Sequence, residues 1–149
     1  MPTQAERTRL ATATVLRVLK IMEPEVPTAH DRFRSNPSDI AALHFIGDNP
    51  GCQSKALAKT LGVAATTISS LTDRLVNSGL ARRERPAADR RSIALFLTDE
   101  GEAARAQIII EERETAKRML DALPRDQRET FVSNMETIAQ ILARDADLE

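Results

Sequence analysis

Between residues 54 and 97 the chain switches its hydrophobic period, and this switch constrains the fold more than any other feature. Ser54 to Leu61 carries Leu57, Ala58 and Leu61 at helical spacing, and Gly62 follows as a C-terminal cap residue. Val63 then plugs the core. A second helix is predicted from about Ala65 to Ser78, with Ile68, Leu71 and Leu75 at i, i+3 and i+7 and Gly79 as its cap. Beyond it the period changes to two. Ala81 to Pro86 and Arg91 to Leu97 read as strands, with Ile93, Leu95 and Leu97 alternating with Ser92, Ala94 and Phe96. The polar stretch 87–90 is the tip of a β-hairpin.

The flanks are helical. Thr3 to Met22 has apolar positions at Val15, Val18, Leu19 and Met22, with Val26 beyond, and Pro24 and Pro27 interrupt or kink it. A further helical piece is expected to about Phe33, with a turn at 35–38. Asp39 to Asp48 reads as a short helix with Ile40, Leu43 and Ile46 inward, stopped by Asn49, Pro50 and Gly51. Thr98 is a good N-cap, with Asp99 and Glu100 in the first turn, where the helix dipole favours acids. A long helix to about Ala122 follows, broken by Leu123 and Pro124. The last helix, from about Arg125 to Ala143, carries Phe131, Met135, Ile138 and Leu142 as one apolar stripe. The fold class is therefore mainly α with a small β-hairpin wing, a winged helix-turn-helix flanked by N- and C-terminal helices. The chain reads as a single domain, 1–149. Within it, 38–100 form the winged lobe, 98–122 a long connecting helix, and 1–35 and 122–149 terminal helices suited to dimerisation.

Charge is distributed unevenly along this layout. The net charge is −1, yet residues 54–97 hold eight basic and three acidic side chains, while 98–149 hold seven basic and thirteen acidic. A basic middle suggests a polyanion-binding surface, although clustering on a solvated face gives the same count. The polar side of the second short helix offers Thr66, Thr67, Ser69 and Ser70, with Arg74 further along. Small hydroxyl side chains let a helix sit deep in a DNA major groove and bond to base edges or phosphates. The same pattern also suits an ordinary amphipathic surface helix. The hairpin adds Arg82, Arg83 and Arg85 at its base and Asp89, Arg90 and Arg91 at its tip. An arginine on a protruding hairpin can enter the electronegative minor groove. An acid beside it makes sense as a bidentate partner that orients a guanidinium. A charged turn that only aids solubility is the plainer alternative.

At this point a resemblance becomes specific. The stretch QSKALAKTLGVAATTISSLTDRLVNSGLARR, Gln53 to Arg83, resembles the MarR family of bacterial transcription regulators. The stretch PAADRRSIALFLTDEG, Pro86 to Gly101, is similar to that family's wing signature: Asp-x-Arg, an apolar strand, then Leu-Thr-x-x-Gly. The resemblance implies a homodimer on double-stranded DNA, with Ala65 to Arg74 as recognition helix. It implies Arg91 as the minor-groove arginine with Asp89 orienting it, and Ser54 and Lys55 near phosphates. It implies terminal helices of two subunits that interlock and space two DNA-binding lobes. Two positions depart from the family pattern. Ala64 stands where such proteins often carry a serine N-cap, a loss of roughly 0.5–2 kcal/mol. Ala65 stands where a long polar or basic residue is common, so readout there would be apolar, to a thymine methyl.

The resemblance also implies a small anionic or phenolic effector that lowers DNA affinity from a crevice between dimer helices and DNA-binding lobe. Repression is the family default, and a palindromic operator is expected. His44 faces roughly the same side as Ile40 and would border such a crevice, or it is a satisfied core or surface histidine. Arg17 would pair a carboxylate, or form an ion pair at the dimer interface. Cys52 precedes a helix with Lys55 close by, features that can lower a thiol pKa and make a redox sensor. The family register instead places it as an apolar residue on a short buried strand.

Other classes find less support. The sequence has no phosphate-cradling glycine loop, no HExxH, no nucleophile elbow and no CxxC, so no enzyme, cofactor or metal is expected. With four Phe and no Trp or Tyr, base stacking on single strands is disfavoured. A single Cys excludes an intramolecular disulfide framework. The polar N-terminus and the absence of a long apolar run point to a cytoplasmic protein with no membrane partner. A helical dimeric interaction module without DNA binding is the remaining alternative, and it predicts no salt-dependent duplex affinity.

Overall fold

Asn36 starts the central lobe. Its extended backbone and side chain cap the next helix: Asn36 Oδ1 accepts from the Asp39 N–H at 3.0 Å, and the Asn36 N–H donates to Asp39 Oδ2 at 3.3 Å. This reciprocal box satisfies two otherwise orphaned donors. The chain is described by a computed structural model, which covers residues 1–21, 36–87 and 91–146. The proline breaks at Pro24 and Pro27, the helical piece to Phe33, and the positions Met22, Val26, Asp89 and Arg90 lie outside the described residues.

The elements run α1 (Gln4–Ile21), α2 (Pro37–Asp48), β1 (Cys52–Gln53), α3 (Ser54–Leu61), α4 (Ala65–Asn77), β2 (Ala81–Glu84), β3 (Ala94–Leu97), α5 (Asp99–Asp121) and α6 (Arg125–Asp145). The helix α2 starts two residues earlier than its pattern suggests, because the capping box seats Pro37 in the first turn, where a missing N–H costs nothing. The hairpin supplies the central strand β3 and the edge strand β2 of an antiparallel sheet in the order β1-β3-β2. Cys52 pairs with Leu95 and Ala81 with Leu97. The strands are shorter than expected. Pairing ends at Glu84 with Ala94, two residues before Pro86, which has no N–H to give a ladder. Ile93 therefore lies beyond the sheet and is exposed, although its alternation places it with Leu95 and Leu97.

Leu43, Ile46, Leu57, Leu71, Leu75, Leu80, Leu95 and Ile108 are fully buried and form one core. The helix α2 packs on α3, α5 and β3, and α3 packs on α4. Gly62 ends α3 in the left-handed region, φ 63°, which turns the chain sharply into α4. At Gly101, in the first turn of α5, a Cβ would sit 1.9 Å from the Leu80 carbonyl oxygen, so only glycine allows this approach. Thr98 fastens the same joint. Its hydroxyl accepts from the Gly101 N–H at 3.0 Å and donates to the Gly79 carbonyl. The outer helices α1 and α6 bury none of their residues within the protomer.

Candidate nucleic-acid interface

Burying Ile68, Leu71, Thr72 and Leu75 turns the opposite side of α4 outward, and Ala65, Thr66, Thr67, Ser69, Ser70 and Arg74 are all exposed there. Ser69 Oγ donates to the Ala65 carbonyl at 3.1 Å, and Ser70 Oγ to the Thr66 carbonyl at 3.3 Å. With their protons turned to the backbone, both hydroxyls present lone pairs outward, which suits accepting from base amino groups. The N-terminus of α4 has no side-chain cap: Ala64 occupies the cap position with φ −68° and ψ 154°. Ser54 and Lys55 open α3, Ser54 half-buried and Lys55 exposed.

The two arginines nearest the α4 surface are held by acids. Arg74 Nη2 donates to Asp39 Oδ1 at 2.5 Å, and Arg83 Nη2 to Asp73 Oδ1 at 2.5 Å. Asp73 and Arg83 tie the helix to the wing, since one lies on α4 and the other on β2. On the preceding strand position Arg82 lies over the Phe96 ring, 4.6 Å from its centroid, and pairs with Glu84. Arg91 is exposed in the turn that leads into β3. Asp89 and Arg90 lie outside the described residues, so the Asp89–Arg91 orientation has no geometry here. Sequence reasoning missed the two acids. Asp39 had a local signal, Asn36 three residues before it, which accounts for the capping box. Its arginine partner lies 35 residues away and leaves no local mark.

A crevice of about 670 Å³ opens between α1, α2 and α5. Leu16, Leu19, Ile40, Ala41, Ala116 and Met119 give it apolar walls, and Lys20, His44, Glu111, Glu112 and Thr115 supply its polar groups. His44 thus borders the crevice, with Nε2 3.1 Å from both carboxylate oxygens of Glu112. Arg17 does not line it. The cation that α1 contributes is Lys20, three residues on, because that side chain shares a face with Leu16 and Leu19. Cys52 is half-buried on β1, and burial pushes its thiol above the ordinary value. Such a shift opposes the thiolate a redox sensor needs. Among the described residues no group of His, Cys, Asp or Glu could hold a metal ion, and no helix is long and apolar enough to cross a membrane.

A small helical lobe whose second short helix turns a polar face outward, beside an arginine-bearing β-hairpin, defines a winged helix-turn-helix protein. Residues 36–92 match the model of the MarR family. The transcriptional regulator HosA of Escherichia coli O157:H7 is 34% identical over 92 residues, 62% of this chain and 68% of HosA. Two solved structures share the fold. FabT of Streptococcus pneumoniae in complex with DNA gives a TM-score of 0.80 at 19% identity, covering 95% of this chain and 99% of FabT. The transcriptional repressor CouR, bound to a 23-mer DNA duplex, gives 0.66 at 27% identity, covering 93% and 99%. The chain belongs to the MarR family of winged helix-turn-helix transcriptional regulators.

Proposed function

We propose that the protein is a sequence-specific regulator of double-stranded DNA that binds palindromic operators as a homodimer and represses until a small ligand releases it. The observation that carries this reading is the outward face of α4, where Thr66, Thr67, Ser70 and Arg74 stand exposed, with Arg83 of the wing tied to the same helix through Asp73. Ser54 and Lys55 at the start of α3 contribute phosphate contacts, and Ala65 contributes apolar contact to a thymine methyl. Dimerisation is supported by apolar side chains that stay substantially exposed on the outer helices. Val15 and Val18 on α1 are each 42% exposed, and on α6 Met135 is 46%, Ile138 50% and Leu142 61% exposed. Surface of that kind is buried by a second copy in a two-fold assembly.

The crevice is the effector site in this reading. Its volume lies within the range of about 300–1,000 Å³ usual for small-molecule sites. Its apolar walls suit an aromatic body, and Lys20 suits an anionic head. Selection of bound duplexes from a random pool tests the reading. An inverted repeat with half-sites about one helical turn apart, bound with affinity that falls steeply with salt, is expected. Absence of any salt-dependent duplex binding would favour the interaction module instead.

A further inference from the structure

Asp39 is fully buried, yet it is a carboxylate. One of its oxygens accepts from the Asn36 backbone, and the other receives the Arg74 guanidinium at 2.5 Å. A buried charge requires a charged partner, so Asp39 and Arg74 are bound to each other across α2 and α4. Arg74, by contrast, keeps 49% of its side chain exposed on the outward face of α4. Electrostatically the pairing looks costly for a phosphate binder, because a full negative charge sits behind one of the few cations on that face. What it supplies is geometry. Arginine has five donors in a rigid planar fork, and anchoring one of them from behind fixes the plane and direction of the others.

We infer that Asp39 is a positioning residue: from inside the lobe it fixes the Arg74 guanidinium in the orientation that contacts DNA, and so contributes to discrimination between sequences rather than to overall attraction. This rests on the DNA-binding reading above. A loosely held cation would attract any duplex about equally, whereas a fixed fork rewards one register on the groove and penalises others.

The test uses the full chain, the duplex most enriched in the random-pool selection, and a scrambled duplex of the same composition. Asp39→Asn, Arg74→Ala and the double variant are compared by equilibrium binding, with thermal melting as the control for folding. Asp39→Asn is expected to lower the ratio of selected to scrambled affinity about tenfold, the worth of one good fork contact, while scrambled affinity holds or rises. In the Arg74→Ala background the same change is expected to have no further effect on that ratio. Equal weakening on both duplexes, an unchanged ratio, or a loss that persists without Arg74 would each overturn the inference, since those are the marks of a purely structural acid. If Asp39→Asn does not fold, Arg74→Lys decides. It keeps the charge and removes the fork, so the ratio must fall; an unchanged ratio overturns the inference. A wild-type protein that binds no duplex removes the DNA-binding reading itself, a result distinct from normal wild-type binding with an unaltered variant.

Discussion

The helix α4 begins without a side-chain cap, and replacing Ala64 with serine should correct that defect. Ala64 already has the extended backbone of an N-cap residue, and its carbonyl accepts the first helical bond from the Ile68 N–H at 3.1 Å. Its side chain is exposed, so no burial is lost by the change. A serine Oγ there can accept from the N–H of Thr66 or Thr67, donors that no capping side chain reaches. The gain from such a cap is about 1 kcal/mol, within a range of roughly 0.5–2. For a chain of this size that corresponds to a melting-temperature rise of about 3 °C. The assay is thermal unfolding by circular dichroism at one fixed protein concentration, because dimer dissociation makes the midpoint concentration-dependent. Ala64→Val, which fits the same backbone but offers no oxygen, is the control and should give no gain. A serine variant that melts with or below the valine control would refute the reasoning. Ala64→Asp extends the test. It should stabilise the helix through both cap and dipole, yet weaken DNA binding by placing a negative charge beside the phosphates.

Arg91→Ala should weaken binding to the selected duplex without unfolding the dimer; full retention of affinity would remove Arg91 from the interface. Ile138→Glu puts a charge in the exposed α6 stripe, and sedimentation should show monomer where the parent is dimer. Equal sedimentation of the two would place the dimer surface elsewhere. For Cys52, burial raises the thiol pKa, so the reactive thiolate is scarcer at neutral pH than in an unfolded cysteine. Alkylation of the folded protein should be slower than that of a short peptide at pH 7 and should accelerate only above the ordinary thiol value of about 8.5. A rate at pH 7 equal to or above the peptide's would contradict the burial argument and revive a redox role.

What could be read from the sequence was what neighbouring residues decide together. Gly62 and Gly79 mark helix ends because their left-handed backbones are local demands. Thr98 was legible as a cap for the same reason, and Leu57, Ile68, Leu71 and Leu75 declared their inward faces by spacing alone. Strand ends were less legible, since Ile93 keeps the alternation of Leu95 and Leu97 but lies past the last pair of the ladder. The site's electrostatics were legible only in part. Arg74 and Arg83 were visible as cations on the right elements, but their partners Asp39 and Asp73 depend on how α2, α4 and β2 come together. In the crevice, Lys20 rather than Arg17 joins the lining because α1 meets α2 and α5 along one particular face, a matter of docking that periodicity in α1 alone does not decide.

The close approach of Gly101 to Leu80 leaves no room for a side chain between the start of α5 and the winged lobe. The helix has 23 residues, so it extends about 34 Å from that joint. Crevice residues Glu111 and Met119 sit along it, roughly 15 and 27 Å from Gly101 at helical rise. A lobe that pivoted at this joint would have α5 as its lever. A sideways push of ~1 Å turns the lobe by ~4° when applied at Glu111 and by ~2° when applied at Met119, given those arm lengths. On the proposed function, the leverage of an effector in the crevice would be set by how deep along α5 it presses as well as by how tightly it binds. A ligand seated toward the lobe would then command nearly twice the rotation of one seated toward the helix end.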